Sequence, residues 1–504
     1  MWAKIETALL DFFSQVNTYF SGYVLVILLI GVGLFFTIKT KFVQVRYFKQ
    51  GAKQVLGNIK LAGEKQKSGM SSFQAVATAI AAQVGTGNIV GATGAILTGG
   101  PGAIFWMWII AFLGMATIYS EAVLAQKTRE VNEDGSVAGG PVYYIKKAFK
   151  NNFGKFLTIF FAIATVIALG FVGGMVQSNS IGESVSNAIV GEKVWWVSLI
   201  VGLVLAVIAG FIFIGGAKRL ASVTEKLVPI MALIYLVGGL VVICCQITLV
   251  PRAIGMIFEY AFNAKAIIGG GFWGAIVLAI QQGAKRGLFS NEAGMGSTPH
   301  AHAQANVKTA HEQGCSAMFG VFVDTFVVLT MTAIIVITSI YVNGGITFNG
   351  LKTDILVSGV TVPAESWYAM KNGTVYLISK TNAVSTGFAI AFGGGNVASI
   401  IGNIFVAVCL TFFAFSTILS WNLFGKINFE YLFKKKGTII YTLIALIFIV
   451  LGSVFQNDLV WELTDFFNYL MVIPNVIALI ALSKVVVGEV KDADELKKGE
   501  KLLK

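Results

Sequence analysis

The sequence predicts an all-α polytopic membrane protein, and three observations carry that prediction. Of 504 residues, 56% are hydrophobic and only 12% are charged, about half the charge fraction of a soluble globular chain. Mean hydropathy is +0.78, and apolar runs long enough to cross a bilayer recur along the whole chain. The net charge of +12 is concentrated in the connections between those runs. That is the pattern of cytoplasmic loops, and it argues against a nucleic-acid partner.

Taken in order, residues 1–20 read as a short amphipathic lead, with Trp2, Phe12, Phe13, Tyr19 and Phe20 suited to an interface. They lack the basic start and small-residue cleavage site of a signal peptide. A first span follows at 22–38. The next segment carries Lys39, Lys41, Arg46, Lys49, Lys53, Lys60, Lys65 and Lys67 against the single acid Glu64, which places it in the cytoplasm and the N-terminus outside. Further spans are expected at 71–98, 102–126, 156–188, 195–215, 225–249, 270–298, 316–342, 396–424, 437–455 and 461–483. That makes about eleven, with the C-terminus inside. Basic residues recur where this count places inner loops, at Lys127, Arg129, Lys146, Lys147 and Lys150, then at Lys218 and Arg219, then at Lys434, Lys435 and Lys436. Gly139-Gly140-Pro141 starts a short interfacial helix through Phe149. The connection 343–395 is polar and rich in Gly, Ser and Thr, and its length suggests an outer lid. The tail 484–504 mixes Lys with Asp and Glu and reads as a solvated end. Cys244, Cys245, Cys315 and Cys409 have no metal spacing and read as packing residues.

Two interruptions stand out within apolar runs. Gly85-Thr86-Gly87-Asn88 lies inside the span 71–98, and Gly287-Leu288-Phe289-Ser290-Asn291-Glu292-Ala293-Gly294 lies inside the span 270–298. Poor helix formers there leave backbone groups unpaired, which hydrocarbon tolerates only where they line a protein-enclosed cavity. Paired broken helices at matching places in two halves of a chain point to a secondary transporter's binding site. At the first break the amides of Thr86 and Gly87 can face an anion, with Asn88 as a side-chain donor and Gln83 polar on the same stretch. The alternative is a glycine kink for close helix packing. Glu292, Asp324 and Glu121 are intramembrane carboxylates and functional candidates by default. Lys285 and Arg286 are expected to neutralise Glu292 or to hold the broken helix. His300, His302 and His311 fall close together, without further ligands at tetrahedral spacing.

The stretch from Ala81 to Trp108, AAQVGTGNIVGATGAILTGGPGAIFWMW, resembles the alanine/glycine:cation symporter family, as do Lys285 to Ser297, KRGLFSNEAGMGS, and Thr411 to Gly425, TFFAFSTILSWNLFG. Gly174-Met175-Val176-Gln177-Ser178-Asn179 is a fourth matching stretch. The resemblance extends in order over most of the chain. It implies the leucine-transporter-type fold, a five-plus-five inverted repeat preceded by one extra helix, in agreement with the span count. The expected division is then 1–70 for the lead, extra helix and basic loop, 71–250 and 251–483 for the two repeats, and 484–504 for the tail. By the same resemblance Thr86, Gly87 and Asn88 hold the carboxylate of a small neutral amino acid and Gln177 reaches the site. Phe289, Ser290 and Asn291 frame its amine, and Trp421 closes a small side-chain pocket. Alignment to the leucine-transporter pattern makes the carbonyls of Ala81, Val84 and Phe413 and the hydroxyls of Ser416 and Thr417 a sodium site; otherwise those hydroxyls bond back to their own helix. The long outer connection and the Pro299–Gln304 stretch depart from the family's pattern.

The leading expectation is a sodium-coupled symporter in the cell membrane, with the bilayer and an amino acid as its partners, no organic cofactor and no catalytic residues. Oligomeric state is left open. A proton-coupled carrier, with Glu292 or Asp324 titrating, is the alternative. A membrane-embedded hydrolase built on the histidines with Glu292 or Glu312 lacks an HExxH pair and any nucleophile motif. A channel lacks repeated filter-like or charged rings.

Overall fold

The computed structural model describes residues 2–57, 69–131, 136–262 and 271–502. Lys60, Glu64, Lys65 and Lys67, which help to assign the first basic connection, lie outside the described residues.

Among the described residues eight helices are long and apolar enough to cross a membrane: Ile5–Lys39, Gly102–Thr128, Asn152–Val190, Trp195–Ile214, Gly216–Cys245, Ala310–Asn343, Asn396–Phe433 and Asn457–Ala481. A ninth span is the pair Ser72–Gln83 and Gly87–Gly99, bent by 43° at its break. Gly271–Asn291 and the shorter Thr438–Val454 are also helical. The lead is not a separate element, because helix Trp2–Tyr19 runs through a π-turn at Phe20–Leu25 straight into the first span.

Local chemistry sets several of the boundaries. Ser71 and Gln74 form a reciprocal capping box ahead of Ser72–Gln83, each side chain 3.1 Å from the other's backbone N–H. Asn151 caps the helix that begins at Asn152, accepting from Gly154 N at 3.1 Å. Two-residue parallel pairing of Met70–Ser71 with Ala305–Asn306 ties the segment before the first broken helix to the segment after the second break. Pro141 opens the short helix Pro141–Ala148, as the sequence predicts.

The connection 343–395 is folded rather than loose. Strands Thr347–Asn349, Ser366–Lys371 and Thr374–Ile378 form an antiparallel sheet, beside a hairpin of Ile355–Val357 and Val360–Val362 turned by Ser358 and Gly359, both at positive φ. Lys380 fastens this connection to the start of helix Asn457–Ala481 through Asp458, at 2.5 Å. The tail is a correction to the solvated end expected from its composition. Helix Ser483–Leu502 buries Val486, Val490 and Glu489, and Glu489 pairs with Lys127 at 2.6 Å. Apolar residues at i and i+4 give the helix a face to dock, and its charges cover the rest. The connection 343–395 thus meets the start, and the tail follows the end, of a 25-residue helix about 37 Å long. Two of the cysteines, Cys315 and Cys409, are buried as packing residues, whereas Cys244 and Cys245 are exposed.

Candidate functional site

The first helix stops because Val84 leaves helical geometry, at ψ 88°, after its own N–H has bonded Ile80 O at 2.7 Å. Asn88 then caps the turn, its Oδ1 accepting from Gly85 N at 3.0 Å. The chain resumes as a π-turn at Gly87–Gly91, a form that concentrates at functional sites. Both glycines are dictated by close approach. A Cβ at Gly85 would meet the Thr417 hydroxyl, and one at Gly87 would sit 3.1 Å from Phe289 Cδ1 and 3.1 Å from Ser290 Cα. The two interruptions in the sequence therefore touch in space.

The second break lies later than the sequence suggests. Gly271–Asn291 is continuous helix, so Gly287 to Asn291 do not unwind, and the chain turns over 292–298, with Glu292, Gly294 and Gly296 at positive φ. Glycine takes such φ values freely whereas Glu is strained there. Glu292 is held by hydrogen bonds, accepting from Trp421 Nε1 at 2.5 Å and from the Ser297 hydroxyl. Glu121 braces the same turn, accepting from Asn475 Nδ2 at 2.6 Å and from the backbone N–H groups of Gly296 at 3.1 Å and Gly294 at 3.3 Å.

Asp324 joins the first break to the last turn of the helix that precedes the second. Its carboxylate accepts from Asn88 Nδ2 at 2.6 Å, from the Ser290 hydroxyl at 2.9 and 3.0 Å and from Thr325 Oγ1 at 2.8 Å. It sits in a π-turn, Phe322–Leu329, facing the π-turn of the first break. Asn88 Nδ2 also lies 3.1 Å from the Asp324 carbonyl oxygen, a second contact to the same residue. Among the described residues none of Asp324, Glu292 and Glu121 has a salt-bridge partner. Lys285 and Arg286 do not neutralise Glu292. Lys285 Nζ lies 3.0 Å from Glu462 Oε1 and 2.9 Å from Asp465 Oδ2, and Arg286 Nη1 lies 3.2 Å from Asp465 Oδ2.

Gln83 Nε2 donates to Asn291 O at 2.9 Å, tying the broken helices a second time. Gln177 Oε1 accepts from Thr86 N at 3.3 Å. Around these contacts Thr86 Oγ1, Gln177 Nε2 and Gln83 Oε1 are buried without a partner among the described residues. A buried polar group left so costs about 1–3 kcal/mol, and several near one turn mark a place built to bind something polar. Phe289 makes the apolar wall, with ring centroids 5.6 Å from Trp421 and 4.8 Å from Trp461. Arg286 lies over the far side of this wall, 4.6 Å from the Trp461 ring.

Beside the first break, oxygens of two helices gather. Thr417 Oγ1 is 2.9 Å from Ala81 O and 3.2 Å from Phe413 O, and Ser416 Oγ is 3.3 Å from Ala81 O and 2.8 Å from Phe413 O. Bonding back to Phe413 is ordinary for Ser and Thr in a helix. Reaching a second helix as well makes a cluster of four neutral oxygens. Val84 occupies the turn itself, and the other carbonyl of the first helix that Thr417 reaches is that of Ala82, at 3.4 Å.

The histidines are engaged separately: His300 with Ser297 O and Asn428, His302 with Gln313, and His311 with Tyr119. Thr325, Trp461 and Asn475 were not legible as site residues, since each belongs to a helix with no break and no motif. Asp324 was legible as an intramembrane carboxylate, but its contact with Asn88 spans 236 positions.

This geometry can be set beside known proteins. The family model described as the sodium:alanine symporter family matches residues 6–503. The chain belongs to that family. Like its relatives, this symporter-family protein is a transporter and not an enzyme. It is 38% identical to the sodium/alanine symporter AgcS of Methanococcus maripaludis over 97% of this chain and 99% of that one. It is 36% identical to a Bacillus subtilis protein named as a probable sodium/glutamine symporter, GlnT, over 95% of this chain and 89% of that one. A second Bacillus subtilis relative, YrbD, named provisionally as a sodium/proton-dependent alanine carrier, is 34% identical over 97% and 93%.

Proposed function

We propose that this transporter couples the inward movement of sodium to that of a small neutral amino acid, alanine or glycine, by alternating access across about eleven spans arranged as an inverted repeat. The observation that carries the reading is the cluster of Ala81, Phe413, Ser416 and Thr417 oxygens directly beside the unwound turn. Neutral oxygens from an unwound helix and a facing helix suit a hard monovalent cation. Rotating the Ser416 and Thr417 hydroxyls toward their helix carbonyls leaves their lone pairs for the ion, and Val84 O would be the fifth oxygen of the set.

In this reading the carboxylate of the amino acid takes over the Thr86 N–H that otherwise donates to Gln177 Oε1, and meets the Gly87 N–H and Gln177 Nε2, at the positive end of a half-helix. Its ammonium group faces Ser290 and Asn291, with Asp324 behind them supplying the negative charge and Asn88 holding that charge in place. Phe289 and Trp421 close the pocket over a short side chain, and the name of GlnT makes glutamine the competitor to test. The lid 343–395 faces outside and the basic connections face the cytoplasm.

Counterflow into proteoliposomes with labelled alanine, glycine and glutamine, with and without a sodium gradient, tests the proposal. Uptake of the small substrates that rises with the sodium gradient is expected. One observation favours a second reading, proton coupling: Asp324 is a fully buried carboxylate with no salt-bridge partner among the described residues, at the contact of the two breaks. Full-strength uptake driven by a pH gradient without sodium would select it over sodium.

A further inference from the structure

On the face that bears the tail helix, a groove of about 1060 Å³ opens between the end of helix Gly102–Thr128, the short helix Pro141–Ala148 and the start of helix Asn152–Thr165. Its basic lining consists of Lys127, Arg129, Lys146, Lys147, Lys150 and Lys155, and Glu130 is its only carboxylate among the described residues. Lys127 pairs with Glu489, and Arg129 is held by the carbonyls of Ala303, at 3.0 Å, and Ala305. Lys146, Lys147, Lys150 and Lys155 are exposed, and none has a carboxylate partner among the described residues. The N-terminal end of helix Asn152–Thr165 adds its own positive potential where Asn151, Lys155 and Thr158 line the groove.

From this basic pocket an apolar track leads away along the same helix. Phe153, Phe156, Ile159 and Ile163 are 48%, 61%, 39% and 47% exposed, and their spacing of three, three and four residues sets them on one face. That helix is part of a membrane span, so the track runs from the membrane surface into hydrocarbon. A concave cluster of cations continuous with a hydrocarbon-facing strip matches an amphiphile with an anionic head, and basic pockets between helices are where such lipids seat.

We propose that this groove is a binding site for an anionic glycerophospholipid, its phosphodiester held by Lys146, Lys150 and Lys155 and an acyl chain laid over Phe153, Phe156 and Ile159. Neither the transport reading nor the orientation of the chain enters the argument, so each can fail without the other.

Native mass spectrometry of the full-length protein released from detergent tests the site, with phosphatidylglycerol and phosphatidylcholine of equal chain length competing. Each basic residue near an anionic phosphate is worth about a 5-fold preference, so Lys146→Gln with Lys150→Gln and Lys155→Gln should lower the preference for phosphatidylglycerol by on the order of 100-fold. The same charge change on exposed lysines of the tail helix, Lys484→Gln with Lys491→Gln and Lys498→Gln, should leave the preference unchanged. Equal losses in both triple variants would mean diffuse surface charge and overturn the site, as would a wild type without preference. Glycerol 3-phosphate should not displace the lipid; displacement at comparable concentration would make the groove a site for free phosphate esters. Phe156→Ser should weaken retention of long-chain but not of dihexanoyl phosphatidylglycerol, and equal retention of both would remove the acyl track and the lipid assignment with it.

Discussion

Asn88 is committed on both sides of its amide to protein partners, and that sets how it acts. Its Oδ1 caps Gly85 and its Nδ2 holds Asp324 twice, so it shapes the first break and fixes the charge behind the second. A hydrogen bond to a charged group contributes about 1.5–3 kcal/mol. Asn88→Ala should therefore weaken alanine binding roughly 10- to 150-fold at saturating sodium, measured by calorimetry. If it works through Asp324, the double variant with Asp324→Asn should fall short of the summed losses by about 0.5–3 kcal/mol, the usual coupling of contacting residues; strict additivity would separate the two. Gly85 makes a complementary case. A Cβ there collides with the Thr417 hydroxyl, and overpacking a closed site costs about 1–3 kcal/mol. Gly85→Ala should thus raise the sodium concentration needed for half-maximal substrate binding, roughly 5- to 150-fold. An unshifted sodium titration would detach Thr417 from the ion.

At the scale of elements, the two broken helices differ in how they end, and the sequence showed one end better than the other. The first break was legible because Gly85, Thr86, Gly87 and Asn88 are poor helix formers in an unbroken apolar run. The second was displaced, because Gly287 continues a helix that tertiary contacts sustain to Asn291, while the turn at Glu292 depends on Ser297 within it and on Trp421 and Glu121 from distant segments. Composition gave no sign of that bracing. Nor could it assign Lys285 and Arg286, which turn from Glu292 to helix Asn457–Ala481. There Asp465, 1% exposed, sits between two cations that are 9% exposed. Removing one partner from a buried ionic cluster destabilises strongly, by about 3–5 kcal/mol for an isolated pair. Asp465→Asn should lower the melting temperature of the detergent-solubilised protein by several degrees and loosen the Arg286–Trp461 stack behind Phe289. Asp458→Asn, whose carboxylate is 66% exposed in its pair with Lys380, should change stability by less than about 1 kcal/mol. Equal shifts in the two variants would deny the buried cluster its structural role.

For the whole molecule, hydropathy and loop charge were enough to find the membrane class and the order of the helices, because a bilayer demands long apolar runs wherever a chain crosses it. They missed the strands of the connection 343–395, although its hairpins are local and turn at Ser358-Gly359 and Asn372-Gly373, and they could not foresee a tail helix docked by Val486 and Val490, whose contacts join segments far apart in sequence. Orientation follows from loop charge alone, and labelling tests it. After replacement of the exposed Cys244 and Cys245, a cysteine near Lys49 or in the tail should resist an impermeant outside reagent while one near Gly359 reacts. Reaction at Lys49 would invert the topology. The coupling of ion to substrate is likewise a property of the whole. If, as proposed, a sodium ion is held by Ala81 on one helix and by Ser416 and Thr417 on another, it clamps two elements that must part during transport. Sodium then favours the state that binds amino acid, and the favour is reciprocal. A typical coupling of about 1–3 kcal/mol would tighten alanine binding roughly 5- to 150-fold on saturating sodium. Thr417→Ala should weaken sodium first and alanine only through it, so that very high sodium partly restores binding. Asn88→Ala, whose defect lies on the substrate side of the turn, should show no such recovery. Alanine binding that ignores sodium in the wild type would break the clamp and transfer the coupling to Asp324.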